Sequence, residues 1–210
     1  MKGLMLKEFY VALKSCKLYI IVDVIFIAMS FALNDHLNDS FMFLMFPVLI
    51  AGEISISLLW HDEKSKWVEY SGALPYSAAQ MVSSKYLFSF VFEVITTLVT
   101  FLALAIHVNT IGDAELSEVG LMFGGMCIIS LIIPSVSLPL CFKFGTERGR
   151  IIFFMFIFIM AFVLAKFADK LYAIANNNYI IWIIIAAVAA LYVLSWFISV
   201  SIYSKREITS

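Results

Sequence analysis

Residues 61–85 read HDEKSKWVEYSGALPYSAAQMVSSK and hold six charged residues, in a chain that is only 14% charged. Long apolar runs lie on both sides. Asp62 and Glu63 suit a helix start, where acids meet the positive end of the helix dipole. Gly72 can end such a helix, and Pro75 opposes its continuation. Between them Trp67, Tyr70 and Leu74 share one helical face by their three- and four-residue spacing. Ser77 and Gln80 have the spacing of a capping box, which would open the helix that runs into the next apolar stretch. The insert therefore predicts a short polar helix, a turn and a new helix start. Its aromatic pair suits a contact with another protein. It suits equally an anchor in the headgroup belt of a bilayer, and spacing leaves both open.

What surrounds the insert decides its solvent. The 210 residues are 63% hydrophobic, with a mean hydropathy of +0.99. An ordinary soluble domain is nearer half apolar and a quarter charged. So much apolar surface cannot be hidden in one core, and lipid is the expected solvent. The net charge of −1 gives no general attraction to nucleic acid. Cys16, Cys127 and Cys141 have no paired spacing, so neither a disulfide framework nor a zinc site is indicated. Asn38-Asp39-Ser40 matches a glycosylation acceptor, a triplet common by chance.

Six runs are long enough to cross a bilayer: residues 18–34, 41–60, 85–107, 117–142, 151–168 and 180–203. The chain is expected to be a single all-α transmembrane domain over residues 1–210. The first run contains Asp23 and follows a basic segment patterned as a helix, which favours an uncleaved span over a signal peptide. The fourth holds Pro134 and Pro139, each of which removes a backbone donor. Ser130, Ser135 and Ser137 are near enough to bond freed carbonyls. Twelve of the fourteen lysines and arginines fall in segments that share one side if the N-terminus is cytoplasmic, and only Lys166 and Lys170 fall outside. That asymmetry places both termini and residues 61–84 in the cytoplasm. Over residues 1–17, Met5, Leu6, Phe9, Ala12, Leu13 and Cys16 fall on one arc. Lys7, Glu8, Lys14 and Ser15 fall on the other, the pattern of an amphipathic helix lying in the interface.

At these residues the sequence resembles a known family. Asp62, Glu63, Trp67, Tyr70, Leu74, Pro75, Ser77, Val82, Lys85 and Tyr86 look like a stretch in small six-span permeases of bacterial type 2 ABC exporters. Ala78 stands where that family often carries arginine. A second stretch, LPLCFKFGTERGR, agrees through Pro139, Lys143, Phe144, Gly145, Glu147, Arg148, Gly149 and Arg150. It lies in the other cytoplasmic loop, and MKGLMLKEFY is similar to the family's start. The resemblance extends to permeases that export phenol-soluble modulins, which are amphipathic helical peptides. It implies that two permease chains pair, as homodimer or paralogue heterodimer, and that each docks a separate ATPase chain carrying ATP and Mg. Residues 61–84 would be the coupling-helix loop. The docking residues implied are Asp62, Glu63, Trp67, Tyr70, Leu74, Lys143, Phe144, Glu147, Arg148 and Arg150. The chain lacks a G-x-x-x-x-G-K-[ST] phosphate loop, so no ATPase site of that kind and no cofactor of its own is expected.

Asp23, Glu53 and Glu93 lie inside apolar runs, each about 9–12 Å from the basic side at ~1.5 Å per residue. Intramembrane acids usually face protein or water. These three could form an acidic vestibule for a cationic cargo, or pack protonated against Ser89, Thr96, Thr97 and Thr100. Gly120 and Gly124 have the spacing of a close helix contact. An intramembrane protease is disfavoured, because no G-x-S-x-G or H-E-x-x-H pattern occurs. An ion-coupled carrier or channel using the three acids is the alternative to an ABC permease. Short outer loops favour a membrane-soluble cargo, expected to be an amphipathic or antimicrobial peptide.

Overall fold

The computed structural model describes residues 2–15, 17–32, 37–67, 70, 75–111, 116–166 and 178–209. Among them are seven long helices: α1 (Lys2–Ser15), α2 (Lys17–Ala32), α3 (Leu37–Lys64), α4 (Ala78–Ile111), α5 (Leu116–Phe144), α6 (Thr146–Lys166) and α7 (Asn178–Thr209). Each predicted span lies almost wholly inside one of α2 to α7. Four stretches, Ser40–Lys64, Ala78–Thr110, Glu118–Phe144 and Trp182–Lys205, are long and apolar enough to cross a membrane. The helix α2 is shorter, at 16 residues. The first turns of α6 carry Glu147, Arg148 and Arg150.

Helices α3 and α4 form an antiparallel pair. Ser40 at the start of α3 meets His107 near the end of α4 at 2.5 Å, and Asp62 at the end of α3 meets Lys85 near the start of α4 at 2.5 Å. The most extensive packing joins α5 to α7, and those helices run parallel: Ser195 bonds Ser135, while Tyr203 packs edge-on to Phe142. A core of Ile56, Val82, Tyr86, Leu138, Phe142 and Tyr203 fills the end of the bundle where the basic residues gather. A second core, of Leu44, Val48, Ala103, Leu104 and Met126, fills the other end. Outward faces are apolar as well. Phe158 is 77% exposed and Trp182 68%, a surface that only lipid or another apolar chain covers cheaply.

The prolines of α5 leave it unbroken. Pro139 has no N–H, so the Ser135 carbonyl loses its partner within the helix. The Ser195 hydroxyl of α7 donates to that carbonyl at 2.6 Å. The sequence pointed to donors within α5 instead. There, Ser130 bonds Cys127 and Ser135 bonds Leu131, and the Ser137 hydroxyl has no partner among the described residues.

Close packing falls at a glycine outside the predicted pair. Gly120 has open space around it, whereas a Cβ on Gly52 would lie 2.1 Å from Ile133 Cγ2 and 2.9 Å from its Cβ. Gly52 therefore sets the distance between α3 and α5. We expect Gly52→Ala to destabilise the protein by about 1–3 kcal/mol through overpacking. Adding Ile133→Ala should return part of the loss, as read from thermal midpoints in detergent. Equal midpoints for wild type and Gly52→Ala would refute the close approach.

Candidate functional site: the basic end of the bundle

Helix α3 does not stop where the apolar run stops. It continues to Lys64, so Asp62 and Glu63 lie in its last turn. This corrects the expectation that they open a helix. The α3 hydrogen-bond pattern persists past Trp60 until Ser65 and Lys66 turn back, with bonds from the Ser65 amide to the His61 carbonyl and from the Lys66 amide to the Glu63 carbonyl. Lys66 takes a left-handed φ of 54°, the conformation that commonly ends a helix. Acids are unfavourable at this negative end of the helix dipole, so both need positive partners from elsewhere.

Asp62 finds them in α1 and α4. Its Oδ2 is 2.5 Å from Lys85 Nζ, and its Oδ1 pairs with Lys7. Lys85 also reaches Glu8 Oε2 at 2.7 Å, and Lys7 reaches Glu8 Oε1 at 3.3 Å. Glu8, Asp62 and Lys85 are 1%, 5% and 6% exposed, so three of the four charges of this neutral cluster are buried, and Lys7 closes it at the surface. Burial, and the Lys85 charge beside it, push the Lys7 ammonium below the ordinary lysine value, against the pull of Glu8 and Asp62. The polar arc of α1 thus turns partly inward through Glu8, which is buried beside Leu4 and, from the apolar arc, Ala12. Leu6, Phe9 and Leu13 face out, as an interfacial helix requires.

Glu63 finds its partner on the other loop. Gly145 sits between α5 and α6 with φ of 84°. Its amide closes α5 onto the Cys141 carbonyl at 3.0 Å, and its carbonyl accepts the Gly149 amide of α6 at 2.9 Å. A single residue thus ends one helix and starts the next, which only glycine does without strain. The first amides of α6 have no partner within the helix. The Glu63 carboxylate accepts the Thr146 amide at 3.0 and 3.1 Å and its hydroxyl at 2.5 Å. An acid from α3 therefore caps α6 and joins the two predicted docking loops.

Between them lies a cleft of 470 Å³ lined by Trp60, Glu63, Lys64, Phe144, Glu147 and Arg148, among others. Phe144 is 42% exposed there, and Lys143 lies 5.1 Å above its ring. The predicted aromatic pair forms, with ring centroids 5.8 Å apart, but its two members are buried unequally. Trp67 packs half-buried on the core, with Lys7 Nζ 4.4 Å above its ring. Tyr70 is 66% exposed. Gly72 and Leu74 lie outside the described residues. The capping box forms: the Gln80 amide donates to Ser77 Oγ at 3.3 Å, and the Ser77 amide donates to Gln80 Oε1 at 3.1 Å.

The three acids of the apolar runs sit differently from one another. Glu53 lies 3.6 Å from Arg150 Nε, which takes Arg150 toward the interior. Among the described residues, buried Asp23 has no partner for Oδ1, and Glu93, at 2% exposure, has none for either oxygen. Glu93 belongs to a buried polar stripe along one face of α4, with Lys85, Ser89, Thr97, Thr100 and His107. Ser89 meets Ser55 of α3 through their hydroxyls. Sequence reasoning missed Glu8 and Thr146. Glu8 gave one available signal, as the single acid in the otherwise basic residues 1–17.

A family profile described as "ABC-2 family transporter protein" matches residues 3–204. Comparison with curated proteins returned no match, and neither did comparison with solved structures. A match over nearly the full length, on a helical bundle built from long apolar spans, shows that this chain belongs to the ABC-2 family of transporter membrane proteins.

Proposed function

We propose that the chain is the permease subunit of an ABC exporter, with six spans, both termini cytoplasmic, and residues 61–84 as the loop that a separate ATPase grips. Family membership makes it a multi-pass membrane protein, usually of the bacterial cell membrane, and implies an ABC ATPase as partner. The observation that carries the coupling reading is the Glu63–Thr146 bridge. It makes the ends of α3 and α6 a single unit, so force on either loop moves both helices. Tyr70, Phe144, Glu147 and Arg148 offer the exposed aromatic and charged contacts that interfaces favour. ATP and Mg stay on the partner. A second permease chain completes the pump, and the cargo is an amphipathic or antimicrobial peptide.

The test is reconstitution of the chain with its partner ATPase. ATP-dependent peptide export that Tyr70→Ala weakens is the expected result. Export without nucleotide, or residues 61–85 labelled only from outside, would sink the reading.

A second reading, an ion-coupled carrier or channel, draws on Glu93, whose carboxyl has no partner among the described residues. Under the exporter reading Asp23, Glu53 and Glu93 attract cationic peptides. The combined Asp23→Asn, Glu53→Gln and Glu93→Gln variant should then lower their transport by roughly tenfold or more, since loss of charge complementarity weighs heavily in recognition. Transport of an uncharged analogue should change little. Equal loss for both cargoes would assign the acids to packing.

A further inference from the structure

We propose that the hollow between α1 and the end of α3 holds the phosphate of an anionic phospholipid, with the lipid's chains lying along the exposed face of α1. The hollow measures 230 Å³ and is lined by Lys7, Val11, Lys14, His61, Asp62 and Ser65. Lys7, Val11 and Lys14 follow one another at four- and three-residue spacing, so they make one stripe of α1 facing α3. Asp62 does not repel an anion here, because Lys7 and Lys85 occupy both of its oxygens. Within the cluster, Glu8 and Asp62 balance Lys7 and Lys85. Lys14 is left over as an exposed cation with no ion-pair partner among the described residues. His61 supplies a ring nitrogen beside it, held edge-on against Trp60 at 5.0 Å.

The apolar half of the ligand follows from the neighbouring stripe. Leu6, Tyr10 and Leu13 are 55%, 63% and 45% exposed. At 100° per residue, Tyr10 is the exposed ring closest to Lys14 around the helix. A free phosphate would use only the charged hollow, whereas a phospholipid would use both surfaces at once. This inference rests on the membrane placement of α1 and is independent of ATPase docking.

The experiment embeds the full chain in nanodiscs of phosphatidylcholine doped with phosphatidylglycerol. Lipids retained after extraction into detergent are then counted by native mass spectrometry. Wild type should retain phosphatidylglycerol over phosphatidylcholine. Lys14→Ala should reduce that retention about fivefold, the weight of one lysine at an anionic surface, and His61→Ala should reduce it further. Leu13→Ser should weaken retention through the chains alone. Millimolar inorganic phosphate should not displace the lipid. Equal retention of the two lipids, no change in Lys14→Ala and His61→Ala together, or displacement by phosphate alone would each overturn the proposal. Lys14 is exposed, so unchanged thermal midpoints separate lost binding from lost folding.

Discussion

Lys85→Met is expected to destabilise the protein by about 3–5 kcal/mol, the cost of breaking a buried charge cluster from one side. Two carboxylates, Glu8 and Asp62, would then share Lys7 alone, and the cluster would carry an uncompensated negative charge away from water. For a chain of this length that corresponds to a fall of roughly 10 °C in thermal midpoint. The second arm is Lys85→Met with Glu8→Met. It removes one opposite pair and leaves Lys7 with Asp62, so most of the stability should return, because well-packed apolar replacements of buried pairs are often nearly neutral. The interaction energy from that double-mutant cycle should be large. A midpoint for Lys85→Met within about 2 °C of wild type would mean that water reaches the cluster and that its ties between α1, α3 and α4 are weak.

The cluster also marks where sequence reading stops. Ser77 and Gln80 are three residues apart, and their capping box forms because its geometry is local. The apolar runs that became α3, α4, α5 and α7 were legible for the same reason: about twenty mostly apolar residues in a row favour burial in lipid whatever their neighbours do. Glu8 and Lys85 are 77 residues apart, and Glu63 and Thr146 are 83 apart. Nothing local distinguishes those side chains from solvated ones. Helix ends erred similarly. Asp62 and Glu63 read as a helix start because acids favour N-termini. In the fold they extend α3, since remote cations and a remote helix N-terminus stabilise them better than a new helix of their own would. Trp67 and Tyr70 share a face by spacing and their rings meet, yet the core half-buries Trp67 and leaves Tyr70 exposed. Tertiary packing decides which residue of an aromatic pair remains free for a partner.

A bundle whose helices are joined by a few sets of polar contacts can move as a few linked bodies. Helices α4 and α7 are joined by Tyr86, whose hydroxyl lies 2.7 Å from Ser195 and 2.8 Å from Ser199, and by Trp196 donating to Ser83. Helices α1, α3 and α4 share the charge cluster. Only Glu63 connects the end of α3 to the start of α6 by hydrogen bonds among the described residues. A displacement applied at residues 61–85 therefore has a short route to the α5–α6 corner through that carboxylate.

Under the exporter reading, Glu63→Ala should uncouple transport from ATP hydrolysis while leaving the chain folded. The lost contacts are charge-assisted hydrogen bonds at an exposed residue, so the stability cost should be about 1–2 kcal/mol, at the low end for such bonds. The functional cost should be larger, because α6 loses the cap that ties its first turn to α3. In proteoliposomes with the partner ATPase, cargo-stimulated ATP hydrolysis should fall roughly tenfold, with basal hydrolysis by the ATPase preserved. Tenfold requires only about 1.4 kcal/mol of lost coupling. Glu63→Gln keeps a neutral acceptor for the Thr146 amide and should lie between wild type and Glu63→Ala. Glu118→Gln, which removes an exposed carboxylate at the opposite end of α5, should change neither activity nor stability. If Glu63→Ala couples as well as wild type while Thr146→Val does not, the hydroxyl acts through some other partner and the bridge is not the link. If both couple normally, the two loops are gripped independently, and α6 follows the ATPase through Arg148 and Phe144 at the cleft rather than through α3.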